Sequence, residues 1–120
     1  MNENKNTGLI RIVLYTEEFK EFYLSLNDKT QNKIDYVINL IKNFRLVHTD
    51  FVKKLVDTEF YEMRISLGNN EYRTILFSID HDNIIEAKEI ILLNGFLKKS
   101  TKDYAKQIKI AAEIIKNIEL

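Results

Sequence analysis

Residues 60–79 read FYEMRISLGNNEYRTILFSI, and this stretch narrows the folds open to the chain more than any other. In its first half Tyr61, Met63, Ile65 and Leu67 alternate with Glu62, Arg64 and Ser66, the period of a strand with one apolar and one polar face. Gly68-Asn69-Asn70 is a turn signal, and EYRTILFSI (71–79) at once resumes a β-rich composition. A second turn, DHDN (80–83), leads into a long apolar run from Ile84 to Phe96. Three consecutive antiparallel strands follow from this order.

Helical signals flank the strands. LIRIVLY (9–15) is short and β-branched and reads as an opening strand. Thr16 can cap a helix running through Tyr23 or Ser25, with Glu17 and Glu18 at its positive end. Asp28 followed by Gln31 marks a second helix start, and Ile34, Val37, Ile38, Ile41 and Phe44 fall at helical spacing after it. With so short a connection, the two helices should form an antiparallel hairpin. Residues 45–59 show no period and are expected to be mostly irregular. A last helix is predicted from Asp103 to Ile118, with Tyr104, Ile108, Ala111 or Ala112, and Ile115 as its apolar stripe. Proline is absent and glycine occurs only 3 times, which leaves no linker, so residues 1–120 are read as one α+β domain.

Several chemistries are excluded at this level. The chain has no cysteine, hence no disulfide and no thiolate metal site. Its 2 histidines, His48 and His81, are far apart and read as surface or turn residues, so no metal site and no cofactor are expected. The opening MNENKNTG lacks the apolar core of a signal peptide, and no apolar run approaches the ~20 residues of a membrane span. A soluble cytoplasmic protein without membrane contact is expected.

The formal net charge is 0, but residues 96–120 hold 6 Lys/Arg against 3 Asp/Glu. Lys98, Lys99 and Lys102 cluster where the last strand meets the last helix. They are either a solvated turn or part of an anion site. Arg64 and Arg73 should be near neighbours across the hairpin, and like charges so placed call for a carboxylate or a bound anion between them. Either Glu62 neutralises them in a surface network, or two arginines and the lysines converge on a phosphate.

Three motifs in order, Tyr61-Glu62-Met63-Arg64, Tyr72-Arg73, and Leu93 to Lys99 followed by Ser100, Thr101 and a helix with alanine, resemble the RelE/HigB superfamily of bacterial toxins. The phage-derived, host-inhibition-of-growth branch is the most similar. The resemblance implies a RelE-like fold and the toxin half of a type II toxin–antitoxin pair, a ribosome-dependent mRNA endoribonuclease. Such enzymes drive the ribose 2′-hydroxyl onto the adjacent phosphodiester without a metal. It further implies Arg64 and Arg73 on the phosphate charge, with Lys98 and Lys99 stabilising charge or moving a proton. Glu62 is then the orienting partner of Arg64 or the base. Tyr72, Thr101 and Lys102 would contact RNA, Tyr72 and Phe96 being able to stack on a base. The implied partners are a helix-turn-helix (HigA-like) antitoxin, the ribosome with its mRNA, and operator DNA reached through the antitoxin complex. A gyrase poison of the ParE-like branch, or a relic that only binds antitoxin and DNA, remain alternatives.

Overall fold

Five strands and three helices organise residues 10–120, the part of the chain that the structure, a computed structural model, describes. In chain order they are β1 (Ile12–Tyr15), α1 (Glu17–Leu24), α2 (Asp28–Asn43), β2 (Val52–Lys54), β3 (Phe60–Leu67), β4 (Asn70–Ser78), β5 (Glu89–Lys98) and α3 (Lys102–Asn117). The sheet order is β1-β5-β4-β3-β2, with β1 parallel to β5 and the other neighbours antiparallel. The α+β class is therefore as expected. No helix among the described residues is long and apolar enough to cross a membrane.

The alternation in β3 and β4 sends side chains into two cores. Tyr61, Met63, Ile65, Leu76 and Leu92 pack with Phe19 of α1 and with Ile34, Val37 and Ile41 of α2. On the opposite face Phe60, Ile75, Ile91, Leu93 and Phe96 pack with Ala111 and Ile114 of α3. The helical hairpin thus covers one face and α3 covers the other. One consequence bears on function: the polar side of the β3–β4 hairpin lies under α3, and Glu62, Arg73 and Asn94 are buried there. Charged groups in such a place must be paired and hydrogen-bonded.

Local chemistry explains the boundaries. Thr16 Oγ1 accepts from the amide of Phe19 at 3.0 Å and donates to Leu93 O at 2.5 Å, so one hydroxyl caps α1 and ties it to β5. The cap of α2 is Asn27 rather than Asp28, its Oδ1 accepting from the amide of Thr30 at 2.9 Å. The opening strand is observed only over Ile12–Tyr15; Leu9 lies outside the described residues. Within 45–59, expected to be irregular, Val52–Lys54 form a strand against β3, too short to show a period. The run from Ile84 to Phe96 divides: Ile84–Ala87 form a turn, and β5 begins at Glu89. Both histidines sit in turns, each Nδ1 accepting from the amide two residues on (Asp50 and Asn83, 3.0 Å each).

Arg11 explains why Ile84–Ala87 is a turn. The side chain is 2 % exposed, and its Nε donates to the carbonyls of Ile84 and Ala87 (3.2 and 3.1 Å). Nη1 reaches Ile41 and Phe44 (2.9 and 2.7 Å), and Nη2 reaches Arg45 and Ile85 (2.6 and 3.2 Å). One guanidinium binds the start of the sheet, the carbonyl end of α2 and the turn before β5. Burial, and then Arg45, lower its pKa from the ordinary arginine value, while the negative end of the α2 dipole favours the cation.

Gly95 shows how closely α1 lies on β5. A Cβ there would sit 2.2 Å from a ring carbon of Phe22. Gly95→Ala is expected to cost about 1–3 kcal/mol, read as a lower urea midpoint. Adding Phe22→Leu should recover part of that loss; a Gly95→Ala protein of unchanged midpoint would contradict the close approach.

Candidate functional site

The turn after β3 sets the geometry of the polar face. Gly68 adopts φ +61, which lets a two-residue turn pair Leu67 with Asn70, and that register places Arg64 directly opposite Arg73. Glu71 lies opposite Lys98, Arg73 opposite Phe96, and Lys53 opposite Glu62. Directly opposed residues share a face, so Lys53, Glu62, Arg64, Glu71, Arg73, Phe96 and Lys98 all belong to the α3 side.

A closed network occupies the centre. Arg73 Nε donates to Tyr104 Oη at 2.9 Å and lies 3.2 Å from Glu62 Oε1. Its Nη1 donates to Tyr72 O at 3.0 Å and its Nη2 to Glu71 Oε1 at 3.1 Å. Tyr104 Oη in turn donates to Glu62 Oε1 at 2.5 Å. Burial opposes the charge of Arg73, but Tyr104, Glu71 and Glu62 outweigh it and hold its pKa above the ordinary value. Tyr104 is pushed up by burial and by Glu62. Glu71 is held below the usual carboxylate range by Ser66, whose hydroxyl donates to it at 2.9 Å, and by Arg73. The Tyr104 ring meets Phe96 edge-on at 5.7 Å, and Lys98 Nζ lies 5.6 Å from its centroid.

Around this centre stand cations of a different kind. Arg64 is half-buried, has no ion-pair partner among the described residues, and lines an open groove of about 320 Å³ with Lys33, Asp50, Phe51, Ser66 and Glu71. Lys98 is half-buried opposite Glu71, and Lys53 is exposed. The groove can hold an anion against Arg64 and Lys33; Lys98 lies outside it, over the Tyr104 ring, and the charge of Arg73 is met by Glu62 and Glu71.

The structure brings Glu62, Arg64, Arg73 and Lys98 together on one face. Glu62 partners Arg73 and Tyr104, however, and not Arg64. Arg73, only 2 % exposed with all three guanidinium nitrogens engaged, is no free fork for a phosphate. Phe96 is core, 7 % exposed. Tyr72 belongs to the opposite face, packed against the helical-hairpin core, with its hydroxyl accepting from Asn70. Lys102 is exposed as the first residue of α3, and Lys99 and Thr101 are exposed in the turn before it. That turn is built by Asp103, whose Oδ2 accepts from the amides of Lys99 (2.7 Å) and Ser100 (3.0 Å); these bonds hold its carboxyl below the usual range. Lys99 lies in that turn and Lys102 opens α3, both exposed to solvent.

Three members of the site, Tyr104, Glu71 and Lys53, are not among the candidates that the sequence motifs single out. Tyr104 was placed in the apolar stripe of α3, where its ring does pack. Its hydroxyl was the available clue, since a tyrosine turned toward a core needs a polar partner.

Residues 17–116 match the family described as "Phage derived protein Gp49-like". No curated protein matches the sequence. Two solved structures share the fold. In the intact E. coli RelBE toxin–antitoxin complex, the matching chain superposes with a TM-score of 0.52 at 12% identity, covering 75% of this chain and 99% of that chain. A double-arginine mutant of E. coli toxin RelE in the free state gives 0.53 at 14% identity, covering 92% and 100%. Identities this low speak for the fold alone.

Proposed function

Because the chain belongs to the phage-derived Gp49-like family and has the fold of the RelE toxin, we propose that it is the toxin of a type II toxin–antitoxin pair and cuts ribosome-bound mRNA. The observation that carries this reading is Arg64, without an ion-pair partner among the described residues, on the same sheet face as Lys98 and a buried Arg73–Glu62–Tyr104 network.

The chemistry asks for charge where charge develops. The ribose 2′-hydroxyl gives up its proton, O2′ bonds to phosphorus, the bond from phosphorus to O5′ breaks, and O5′ takes up a proton. Negative charge grows on the non-bridging oxygens throughout. Arg64 offers a planar donor fork to those oxygens, and Lys98 offers a mobile charge that also serves the departing O5′. Arg73, Glu62 and Tyr104 act by position: they fix α3 on the sheet and hold Lys98 beside the Tyr104 ring. Lys99, Thr101 and Lys102 contribute at most to backbone contacts along the RNA, and Tyr72 plays no stacking role from the other face. The partners of this reading are a helix-turn-helix antitoxin that covers the cationic face, the ribosome, and operator DNA through the antitoxin complex.

Induced expression should stop translation and leave transcripts whose new ends map inside ribosome-bound codons. Arg64→Ala should lower the cleavage rate about 10²–10³-fold, and Lys98→Ala should act in the same direction. Lys99→Ala and Lys102→Ala should stay within a few-fold. DNA breaks without cut transcripts would select the gyrase-poison alternative. Full cleavage by Arg64→Ala would remove the site assignment.

A further inference from the structure

Among the described residues, no strand pairs with the outer edge of β1. The amides of Ile12 and Thr16 point inward, to the carbonyls of Lys88 (2.8 Å) and Leu92 (3.1 Å), so the N–H and C=O of Val13 and Tyr15 point outward. The preceding outward amide, that of Arg11, is already taken by Lys42 O of α2 at 3.1 Å. Natural sheets protect such an edge with charge, proline or a bulge. This one instead exposes Ile12 (52 %), Leu14 (42 %) and Tyr15 (61 %). A groove of about 900 Å³, with Ile91, Ile110 and Ile114, flanks it on the α3 side. Another of about 350 Å³, with Phe19, Tyr23 and Ile38, flanks it on the other.

We propose that this edge pairs with β1 of a second copy of the chain, antiparallel about a two-fold axis at Leu14, joining two five-stranded sheets into one. The register follows from the free groups. With Leu14 on the axis, Val13 lies opposite Tyr15 of the partner subunit, and the outward N–H and C=O of both residues are all paired. Centring on Val13 instead would set Tyr15 against Arg11, whose outward amide is occupied.

The ends of the strand also match. In the Leu14 register the first turn of α1, bearing Glu17 and Glu18, comes beside the last turn of the partner copy's α2, bearing Lys42. Both helices pack on the same face of the sheet, so these turns are at one level. The side-chain charges are opposite, and so are the two helix dipoles. A net charge of 0 lets two copies approach without overall repulsion.

Sedimentation velocity on the purified chain over a concentration series tests the pairing. The mass is expected to rise from 14.2 kDa toward twice that value. Hydrogen exchange at the amides of Val13 and Tyr15 should slow as the dimer fills. Leu14→Lys places two ammonium groups on the axis and should weaken association at least tenfold, with circular dichroism confirming the fold. Should that variant unfold, Tyr15→Pro removes an outward donor without breaking an inward hydrogen bond of β1 and should give the same loss, with Tyr15→Ala as the control for the lost ring. Val56→Lys, at a side chain 80 % exposed between β2 and β3, should leave the dimer intact. A single 14.2 kDa species at every concentration overturns the proposal and leaves the edge to an extended segment of another protein. A dimer in which Val13 and Tyr15 exchange freely overturns it equally.

Discussion

Replacing Arg73 with methionine is expected to lower the stability of the fold by about 3–5 kcal/mol. The cost does not come from a lost surface charge. Glu62 is 6 % exposed and its Oε1 takes both the Arg73 guanidinium and the Tyr104 hydroxyl, so removing the arginine strands a carboxylate beneath α3. The same logic predicts a rescue. Adding Glu62→Gln to Arg73→Met removes the stranded charge, and the double variant should be more stable than Arg73→Met alone. Urea midpoints of the two singles and the double measure this cycle. If Arg73→Met cost under 1 kcal/mol, the network would not be the closed, water-excluded unit described above. Any loss of cleavage in an Arg73 variant must be read with this in view, because a domain that releases the start of α3 also displaces Lys98 and Tyr104.

Arg11→Met should be comparably damaging, about 3–5 kcal/mol, or roughly 10–20 °C in Tm for a domain of this size. Six carbonyls from α2, the segment after it and the turn before β5 lose their donor together. Buried carbonyls without partners are costly, and no neighbouring side chain can replace a planar fork that donates in several directions. Arg11→Lys keeps the charge but has only three donors on one nitrogen, so it should recover part of the loss and not all. Thermal unfolding of the two variants against the parent chain decides between this view and a merely buried side chain: equal Tm values for Arg11→Lys and the parent would show that the fork is dispensable. Domains of this kind are stable by only about 5–15 kcal/mol, so the methionine variant should be close to unfolding at growth temperature.

The strand and helix order was legible because it rests on local rules. Thr16 before Glu17 and Glu18, the alternation of 60–67, the Gly68-Asn69 turn and the stripe in α3 each declare themselves within a few residues. The same turn fixes register, so the opposition of Arg64 and Arg73 could be read before any coordinates. Legibility failed where an element was too short for a period, as in β2. It failed too where a residue far away in sequence decides the conformation. Arg11 shapes Ile84–Ala87 across more than seventy positions, and nothing in IIEA itself says that its carbonyls will point at a guanidinium.

The sequence by itself determined which residues could carry cationic chemistry and which of them lie on one strand face. It could not say how wet that face is, because exposure depends on which layer packs on it. A β3–β4 hairpin with one polar side normally turns that side to water, and Glu62, Arg64 and Arg73 then look alike. Tertiary structure separated them. Once α3 folds across the sheet, Tyr104 and Phe96 close over Glu62 and Arg73, whose charges must pair with each other in the low-dielectric layer. Arg64, on the same rung as Arg73 but one strand further from α3, stays within reach of solvent. The lysines divide for a similar reason: Lys98 still belongs to β5 and is drawn to the Tyr104 ring, whereas Lys99 falls in a turn that Asp103 builds from backbone amides and Lys102 opens α3 beyond it. Residue type and strand parity are written in the chain, but the partner of each charge is chosen by the layer that buries it.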